Sequence, residues 1–475
     1  MTIAVTPQRL GVLLRPHSVA LVGAADKSGF SQMAYRNLVD FGLGEHTYLV
    51  NRRGVTAHGR PTVTSCTQIS EPVDVAFMMV PQAATLAALS DAAAAGIRHA
   101  LVLSSGYADA GAAGQRAQAD LVAHAEALGM LLVGPNHLGF ANFVDHVAVT
   151  AIPGLPRAAG PVALVSQSGM AASAMLDFAM MTGVGLSYLV TLGNEAMVAA
   201  GHVLDYLVGD PQTRAVALFL ETIRDPAAFA DAARRAAAAG KAVVVLKSGR
   251  SELSARAAAA HSGAAVGDDH RIDEFLHGLG VIRVDSIEGL VLTAGAAAHL
   301  GRLARPGIGV VSISGGACDM VADHAAALGA PLPALAPATA AALARVLPDY
   351  GTVQNPLDIT GAAVIHPGIF TRCIEAVSAD PSVGVVAVIN SLPWHADRRP
   401  WVGQVLADAI GAGAGRAGAP VICASQVMQP ITGYTRQVMA QANIPYAIPG
   451  LRHCVAALRN VAWWSQATRG AGEAV

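Results

Sequence analysis

Two turns in this 475-residue sequence repeat one pattern of residues able to hold an anion. Ser166-Gln167-Ser168-Gly169 and Ser312-Ile313-Ser314-Gly315 each close an apolar run and open a helix with small residues in its first turn. The repeat extends from VALVSQSGMAASAMLDFAMMTG (162–183) to IGVVSISGGACDMVADHAAALG (308–329). Serine caps helices and glycine tolerates tight bends, which accounts for one copy. Two copies at one spacing indicate a shared role, and a helix start with free N–H groups suits phosphate. Ser166, Gln167, Ser168 and Gly169, with Ser314, Gly315, Gly316 and Ala317, are therefore the expected phosphate-binding residues. Glu221 ends the run AVALFLE, at the edge where doubly wound folds place their sites, or is a solvated strand-end charge. His261 stands in ARAAAAHSGAAVGDDH (255–270) among small, inert neighbours. No metal co-ligand is near it, and read alone it is a solvated side chain.

A further turn offers a phosphate cradle near the start of the chain. SVALVG runs into Gly23-Ala24-Ala25-Asp26-Lys27-Ser28-Gly29 and then a helix. The dinucleotide fingerprint GxGxxG is not met, and the second strand ends in Asn51, Arg52 and Arg53 rather than an acid. Basic residues there suit a ribose phosphate, which leaves both NADP and the 3′-phospho-ADP of coenzyme A open. The same two arginines in a solvated loop would need no ligand.

The elements that position these residues follow from a simple rhythm. Short β-branched runs alternate with alanine-rich, helix-length stretches: SVALVG, TYLVN, VDVAFMMV, HALVLSS and MLLVG, then PVALVS, AVALFLE and AVVVLK, then IGVVSIS, VGVVAVIN and APVICAS. Continuous apolar strands separated by helices predict parallel sheets covered on both faces. Pro/Gly-rich joints at 151–161 and 301–307 divide the chain into 1–155, 160–300 and 305–465, three doubly wound α/β domains.

Composition excludes several function classes. Lys plus Arg is 31 against 33 Asp plus Glu, so no charge excess points to nucleic acid or an anionic membrane. Hydrophobic residues make up 53%, mostly through alanine, and no apolar run reaches the roughly 18 residues of a spanning helix. The start MTIAVTPQRLGVLLRPHS lacks the pattern of a signal peptide. Five scattered cysteines without a CxxC fit reduced thiols and argue against structural zinc; no metal site is expected. Together these features predict a cytoplasmic protein.

The ordered motifs resemble the nucleoside-diphosphate-forming acyl-CoA synthetases, a family that includes succinyl-CoA synthetase and the ADP-forming acetyl-CoA synthetases. VALVGAAD, YLVNRRG, PVDVAFMMVP, GIRHALVLSSGYADAG and GMLLVGPNHLGFAN follow its CoA-binding domain. GPVALVSQSG, TLGNEA, DYLVGDPQTRAVALFLE, VVVLKSGRS, HSGAAVG and GVIRVDS follow its ligase domain, and ISGGACDMVAD with NPLDITG a further CoA-ligase domain of α subunits. The resemblance implies a Rossmann-like CoA-binding domain followed by two flavodoxin-like domains. It implies that His261 carries a phosphoryl group between two sites and that Glu221 orients its imidazole. Neutral imidazole is a good nucleophile near neutral pH, and covalent transfer splits one difficult step into two easier ones. Small neighbours leave such a carrier little packing to break.

Coenzyme A would meet Gly23, Ala24, Ala25, Asp26, Ser28, Asn51, Arg52, Arg53, Val80, Pro81, Ser104 and Ser105. Acyl group and thiol would meet Pro135, Asn136, His137, Met170 and Ser173. The family commonly has serine at Ala25, a glycine near Gln32 and cysteine at His137, and HSG replaces HTG or HAG. No ATP-grasp domain is recognisable, so ATP/ADP and Mg²⁺ would come through a separate ATP-grasp β subunit. The expected reaction is acid + ATP + CoA giving acyl-CoA + ADP + phosphate. A transferase relative that does not use ATP directly, and a non-catalytic CoA sensor, are the alternatives.

Overall fold

The computed structural model describes residues 3–251, 253–254, 269–396 and 400–470. Three mostly parallel sheets organise the chain. The first is built from β1 (Val19–Val22), β2 (Thr47–Val50), β3 (Val75–Met78), β4 (His99–Val102) and β5 (Leu131–Val133), in the order β2-β1-β3-β4-β5. Every residue of β1, β3, β4 and β5 is buried, as expected for strands covered by helices on both faces.

The second sheet holds β6 (Gly139–Asn142), β7 (Val147–Thr150), β8 (Ala159–Ser166), β9 (Leu186–Thr191), β10 (Ala215–Leu220), β11 (Ala242–Lys247) and β12 (Ile282–Val284). Its order is β12-β11-β10-β8-β9-β6-β7. The hairpin β6–β7, which sequence proximity places with the first sheet, pairs antiparallel with β9 instead. Gly139 permits this. Its φ is +98°, and a Cβ would lie 2.1 Å from the Val149 carbonyl oxygen, so only glycine lets the two strands close here. β9 escaped the strand pattern because Ser187 and Thr191 interrupt its apolar run. Both are buried and bonded, Ser187 Oγ to Thr213 Oγ1 at 2.8 Å and Thr191 Oγ1 to the Gly139 carbonyl at 2.6 Å.

The third sheet comprises β13 (Gly307–Ser312), β14 (Leu357–Asp358), β15 (Val383–Ile389), β16 (Val421–Ala424) and β17 (Ala447–Ile448), in the order β14-β13-β15-β16-β17. The five parallel strands of each sheet thus have one doubly wound order, with the reversal beside the first strand of each: β1, β8 and β13. Doubly wound folds place ligands at such reversals, just past the carboxyl ends of the strands. The loops at Gly23–Ser28, Ser166–Gly169 and Ser312–Gly315 occupy those three positions. The first two sheets share one compact unit, Met1–Asp177 with Gly185–Asp285. The third has its own, Phe178–Val184 with Ser286–Val475.

Candidate active site

The turn after β1 is fixed by its own backbone. Gly23 and Ala24 donate N–H bonds to the Val50 carbonyl at 2.9 and 3.2 Å. Gly23 has φ +94°, and a Cβ would lie 2.6 Å from the Met79 carbonyl oxygen, so β1 and β3 approach this closely only around glycine. Asn51 Nδ2 donates to the Ala24 carbonyl at 2.8 Å. Ser28 caps the helix Gly29–Asp40, its Oγ accepting from Ser31 N at 3.2 Å. Asp26 accepts from the His58 backbone N–H at 2.6 Å, and its carboxylate lies 3.2 Å from His58 Nδ1. His58 also contacts Ser31 Oγ at 2.8 Å and stacks on Tyr35. It is a part of the cradle that sequence reading passed over. Arg52 and Arg53 are exposed.

Beyond the strand ends, within the first compact unit, lies a cleft of about 780 Å³. The first sheet contributes Ser28, Val80, Pro81, Ser104, Ser105, Asn136 and His137 to its wall; the second contributes Gln167, Ser168, Gly169, Met170 and Glu221. Twelve of the residues expected from sequence thus meet around one space. Gly23, Ala24, Ala25, Asp26, Asn51, Arg52, Arg53, Pro135, Ser166 and Ser173 do not line it. His261 lies outside the described residues.

Glu221 is aimed by Gln167. The Gln167 Oε1 accepts from the backbone N–H groups of Glu221 at 2.6 Å and Thr222 at 3.0 Å, while its Nε2 donates to the Thr222 carbonyl at 2.8 Å. The amide thereby extends the pairing of β8 with β10 by one side chain. Ser168 caps the helix Gly169–Thr182, its Oγ accepting from Ala171 N at 3.3 Å, and Ser166 Oγ accepts from Ser168 N at 3.0 Å. Ser104 Oγ, on the opposite wall, is buried and has no hydrogen-bond partner among the described residues.

His137 is buried, and desolvation pushes its pKa down to about 4, so the ring is neutral. Its Nδ1 lies 3.1 Å from Gly139 N–H and 3.2 Å from the Thr191 carbonyl, and one tautomer satisfies only one of them. Its Nε2 has no partner among the described residues.

Two charged residues went unread in the sequence. Glu195, in TLGNEA, has φ +53° and a side chain only 1% exposed. Burial raises its pKa to about 7, against the opposing pull of the Gln167 amide, the Ala200 N–H and Arg224. One oxygen accepts from Ala200 N at 2.9 Å; Oε2 has no hydrogen bond and lies 3.9 Å from Arg224 Nε. Arg224 lines the cleft. A polar residue at left-handed φ is rare enough to merit notice, but neither φ nor burial is visible in a sequence.

The third sheet repeats the turn with different neighbours. Ser314 Oγ accepts from Ala317 N at 3.3 Å, capping the helix Gly315–Leu328. A Cβ on Gly315 would lie 3.0 Å from Asp358 Oδ2, so this helix start has a carboxylate of its own beside it. The residue matching Gln167 is Ile313, which packs against the core.

Other chemistry is sparse. Among the described residues no group of three His, Cys, Asp or Glu side chains is placed to hold a metal ion. No described helix is long and apolar enough to cross a membrane. All five cysteines are buried and unpaired, and burial pushes each thiol up to about 12, which leaves none as a ready nucleophile.

Comparison with known proteins agrees with this architecture. Residues 17–142 match the model of a CoA-binding domain, and residues 159–297 that of a succinyl-CoA ligase-like flavodoxin domain. The chain is 32% identical over 393 residues to a trans-feruloyl-CoA synthase from an unknown prokaryotic organism, an alignment that covers 81% of this chain and 56% of the relative. It is 30% identical over 387 residues to the α subunit of an ADP-forming acetate–CoA ligase I of Pyrococcus furiosus, covering 80% of this chain and 82% of that subunit. The solved dinucleotide-forming acetyl-coenzyme A synthetase 1 of Ca. Korarchaeum cryptofilum, in complex with phosphate and ADP, superposes with a TM-score of 0.85 at 25% identity, covering 98% of this chain and 99% of that one. The chain thus spans about half the length of some curated relatives and most of a separate α subunit. On these matches the chain belongs to the family of ADP-forming acyl-CoA synthetases.

Proposed function

We propose that the chain is the CoA-handling, phosphoryl-accepting part of an acid–thiol ligase, converting carboxylic acid, ATP and coenzyme A to acyl-CoA, ADP and phosphate. The carrying observation is the shared cleft, where Ser104, Ser105 and Asn136 of the CoA-binding part face Ser168, Gly169 and Glu221 of the ligase-like part. In this reading residues 1–155 hold coenzyme A, 160–300 carry the phosphohistidine loop, and 305–465 form a second ligase-like domain.

A carboxylate is a poor electrophile, so one of its oxygens must first be bonded to phosphorus, which makes it a leaving group that a thiol can displace. ATP transfers its terminal phosphoryl group to the His261 imidazole, releasing ADP. The acid's carboxylate takes that group to form an acyl phosphate. The CoA thiolate then attacks the acyl carbon and inorganic phosphate departs. Glu221, at the end of β10, accepts a hydrogen bond from one imidazole nitrogen and leaves the other free to attack. The helix start at Ser168–Gly169 stabilises the phosphate by about 0.3–2 kcal/mol, and the start at Ser314 is assigned the same task. ATP and its Mg²⁺ are held by an ATP-grasp β subunit, a reading supported by relatives that are named α subunits, and the complex works in the cytoplasm.

The test is incubation of the chain with γ-labelled ATP, with and without an ATP-grasp partner. Acid-labile, base-stable label is expected only with the partner, and none in His261→Asn, which still binds coenzyme A. Robust ATP-dependent acyl-CoA synthesis by the chain alone would overturn the division of labour. Coenzyme A binding with no labelling under any pairing would favour a sensor or a transferase.

A further inference from the structure

Arg224 is the one cation among the described residues that line the cleft, where the other charged side chains are Asp109 and Glu221. It also borders an adjoining hollow of about 560 Å³ beside the helix Gly111–Ala127. Among the described residues its ion-pair neighbour is the buried Glu195, whose Oε2 lies 3.9 Å from Arg224 Nε, too far for a hydrogen bond. That oxygen has no other partner among the described residues, although its carboxyl is held in place by the Ala200 N–H and by backbone at left-handed φ. The loop itself is clamped: Asn194 N donates to the Pro135 carbonyl, and Ala196 N to the Gly134 carbonyl, each at 2.9 Å. Asn194 Nδ2 reaches Asp109 Oδ1 at 2.8 Å.

A guanidinium facing a cavity, with an anchored carboxyl just out of reach behind it, is an arrangement with two competing partners. We infer that Arg224 receives the oxyanion of the reacting acid or phosphate in the cleft, and that Glu195 is a positioning residue that competes for the same guanidinium. This rests on the ligase reading of the cleft and adds the cation and its control. When Glu195 is protonated, Arg224 is left to the ligand. When Glu195 is ionised, the pair closes and the ligand loses its cation.

The sign follows from the surroundings of Glu195. Arg224 and Glu221 are the charged groups facing it from the loop after β10. The Gln167 amide at the end of β8 and the Ala200 N–H at the helix Ala200–Val208 complete its contacts. His202 in that helix and His137 on the neighbouring turn are held toward the neutral form by burial. Burial raises Glu195 to about 7, so it ionises as pH climbs through neutrality and anion affinity should fall over that window.

The experiment uses the full chain and two probes, inorganic phosphate at neutral pH and butyrate, whose charge stays constant across the range. Titration calorimetry of wild type, R224Q and E195Q is set beside coenzyme A binding. R224Q is expected to weaken at least one probe by about 10-fold or more, as loss of a charge-assisted bond does, with coenzyme A affinity little changed. Weakening of butyrate alone assigns the acid to Arg224, and weakening of phosphate alone assigns the phosphoryl oxygens. Wild-type affinity for butyrate should fall about 3-fold or more from about pH 6 to about pH 8.5, and E195Q should be flat. Unchanged affinity of R224Q for both probes overturns the site. A pH slope retained by E195Q overturns the role of Glu195. If wild type fails to bind coenzyme A while R224Q still loses an anion, the ligase reading falls and the anion site stands.

Discussion

The parallel strands of the second and third sheets have the same order and the same Ser-x-Ser-Gly turn, yet the two turns have different neighbours. At the end of β8, Gln167 ties the turn to the backbone of Glu221 and Thr222, so that a carboxylate is held at a cleft wall. At the end of β13, Ile313 packs inward, and Asp358 sets a carboxylate beside the helix start. The shared part, a serine cap on a helix with small first-turn residues, creates anion-binding capacity. The residue between the serines and the neighbouring loop decide what that capacity serves.

The comparison breaks most visibly at the carboxylates. Glu221→Gln should slow both phosphorylation and dephosphorylation of His261 by about 10²-fold or more with the fold intact, in rapid-quench labelling with the ATP-grasp partner present. Asp358→Asn should leave the labelling rate within about two-fold, or raise it, because it removes a negative charge from beside a helix start. Equal slowing by both variants would show the two turns to be equivalent after all.

Acid unfolding sharpens the same contrast. The folded pKa of His137, about 4, lies below the value of 6.5 for an unperturbed imidazole, so the unfolded chain binds the extra proton between those limits. Stability of the first compact unit should therefore fall as pH drops from about 6.5 toward about 4, with His137 accounting for about 3 kcal/mol of the loss. His137→Asn should flatten that slope, whatever it does to stability at neutral pH. Among the described residues of the third sheet's unit, the resolved shifts fall on cysteines and Tyr446, raised, and on Asp380, lowered. Chemical unfolding monitored at several pH values reads both units.

Gln167→Ala and Ile313→Ala test the residue between the serines. The first removes three hydrogen bonds and exposes two backbone N–H groups, so a loss of about 1–3 kcal/mol should accompany slower labelling. Ile313→Ala should cost stability through lost packing without changing the phosphoryl chemistry of Glu221. The smallest effects belong to the caps. Ser168→Ala and Ser314→Ala should each cost about 1 kcal/mol, seen as a lowered Tm.

Much of this was legible in the sequence because the signals are local. Apolar runs bounded by Gly and Ser marked the central strands of all three sheets, and Ser168 and Ser314 are caps where the repeat placed them. The place of Glu221 at a cleft wall was legible because a strand end next to a repeated turn is a fixed topological position, while its role was implied by the family resemblance. What escaped was set by partners distant in sequence. β6–β7 could be assigned to either sheet until Gly139 and β9 were brought together. Gln167 was read as a phosphate ligand, and its bonds to the backbone of residues 221 and 222 became visible only in the fold. Arg224 and Glu195 sit in loops of ordinary composition, and their meaning depends on a 3.9 Å approach and on burial.

The sequence by itself determined the three α/β sheets, the capped turns at their reversals and the order of family motifs, since backbone preference and side-chain periodicity act over a few residues. Tertiary structure decided which of those turns meets a cleft wall with Glu221, which carries Asp358, and which carboxyl is buried beside the cleft's arginine. The physical reason is that desolvation and charge pairing depend on separations of a few ångströms between residues that are tens of positions apart in the chain.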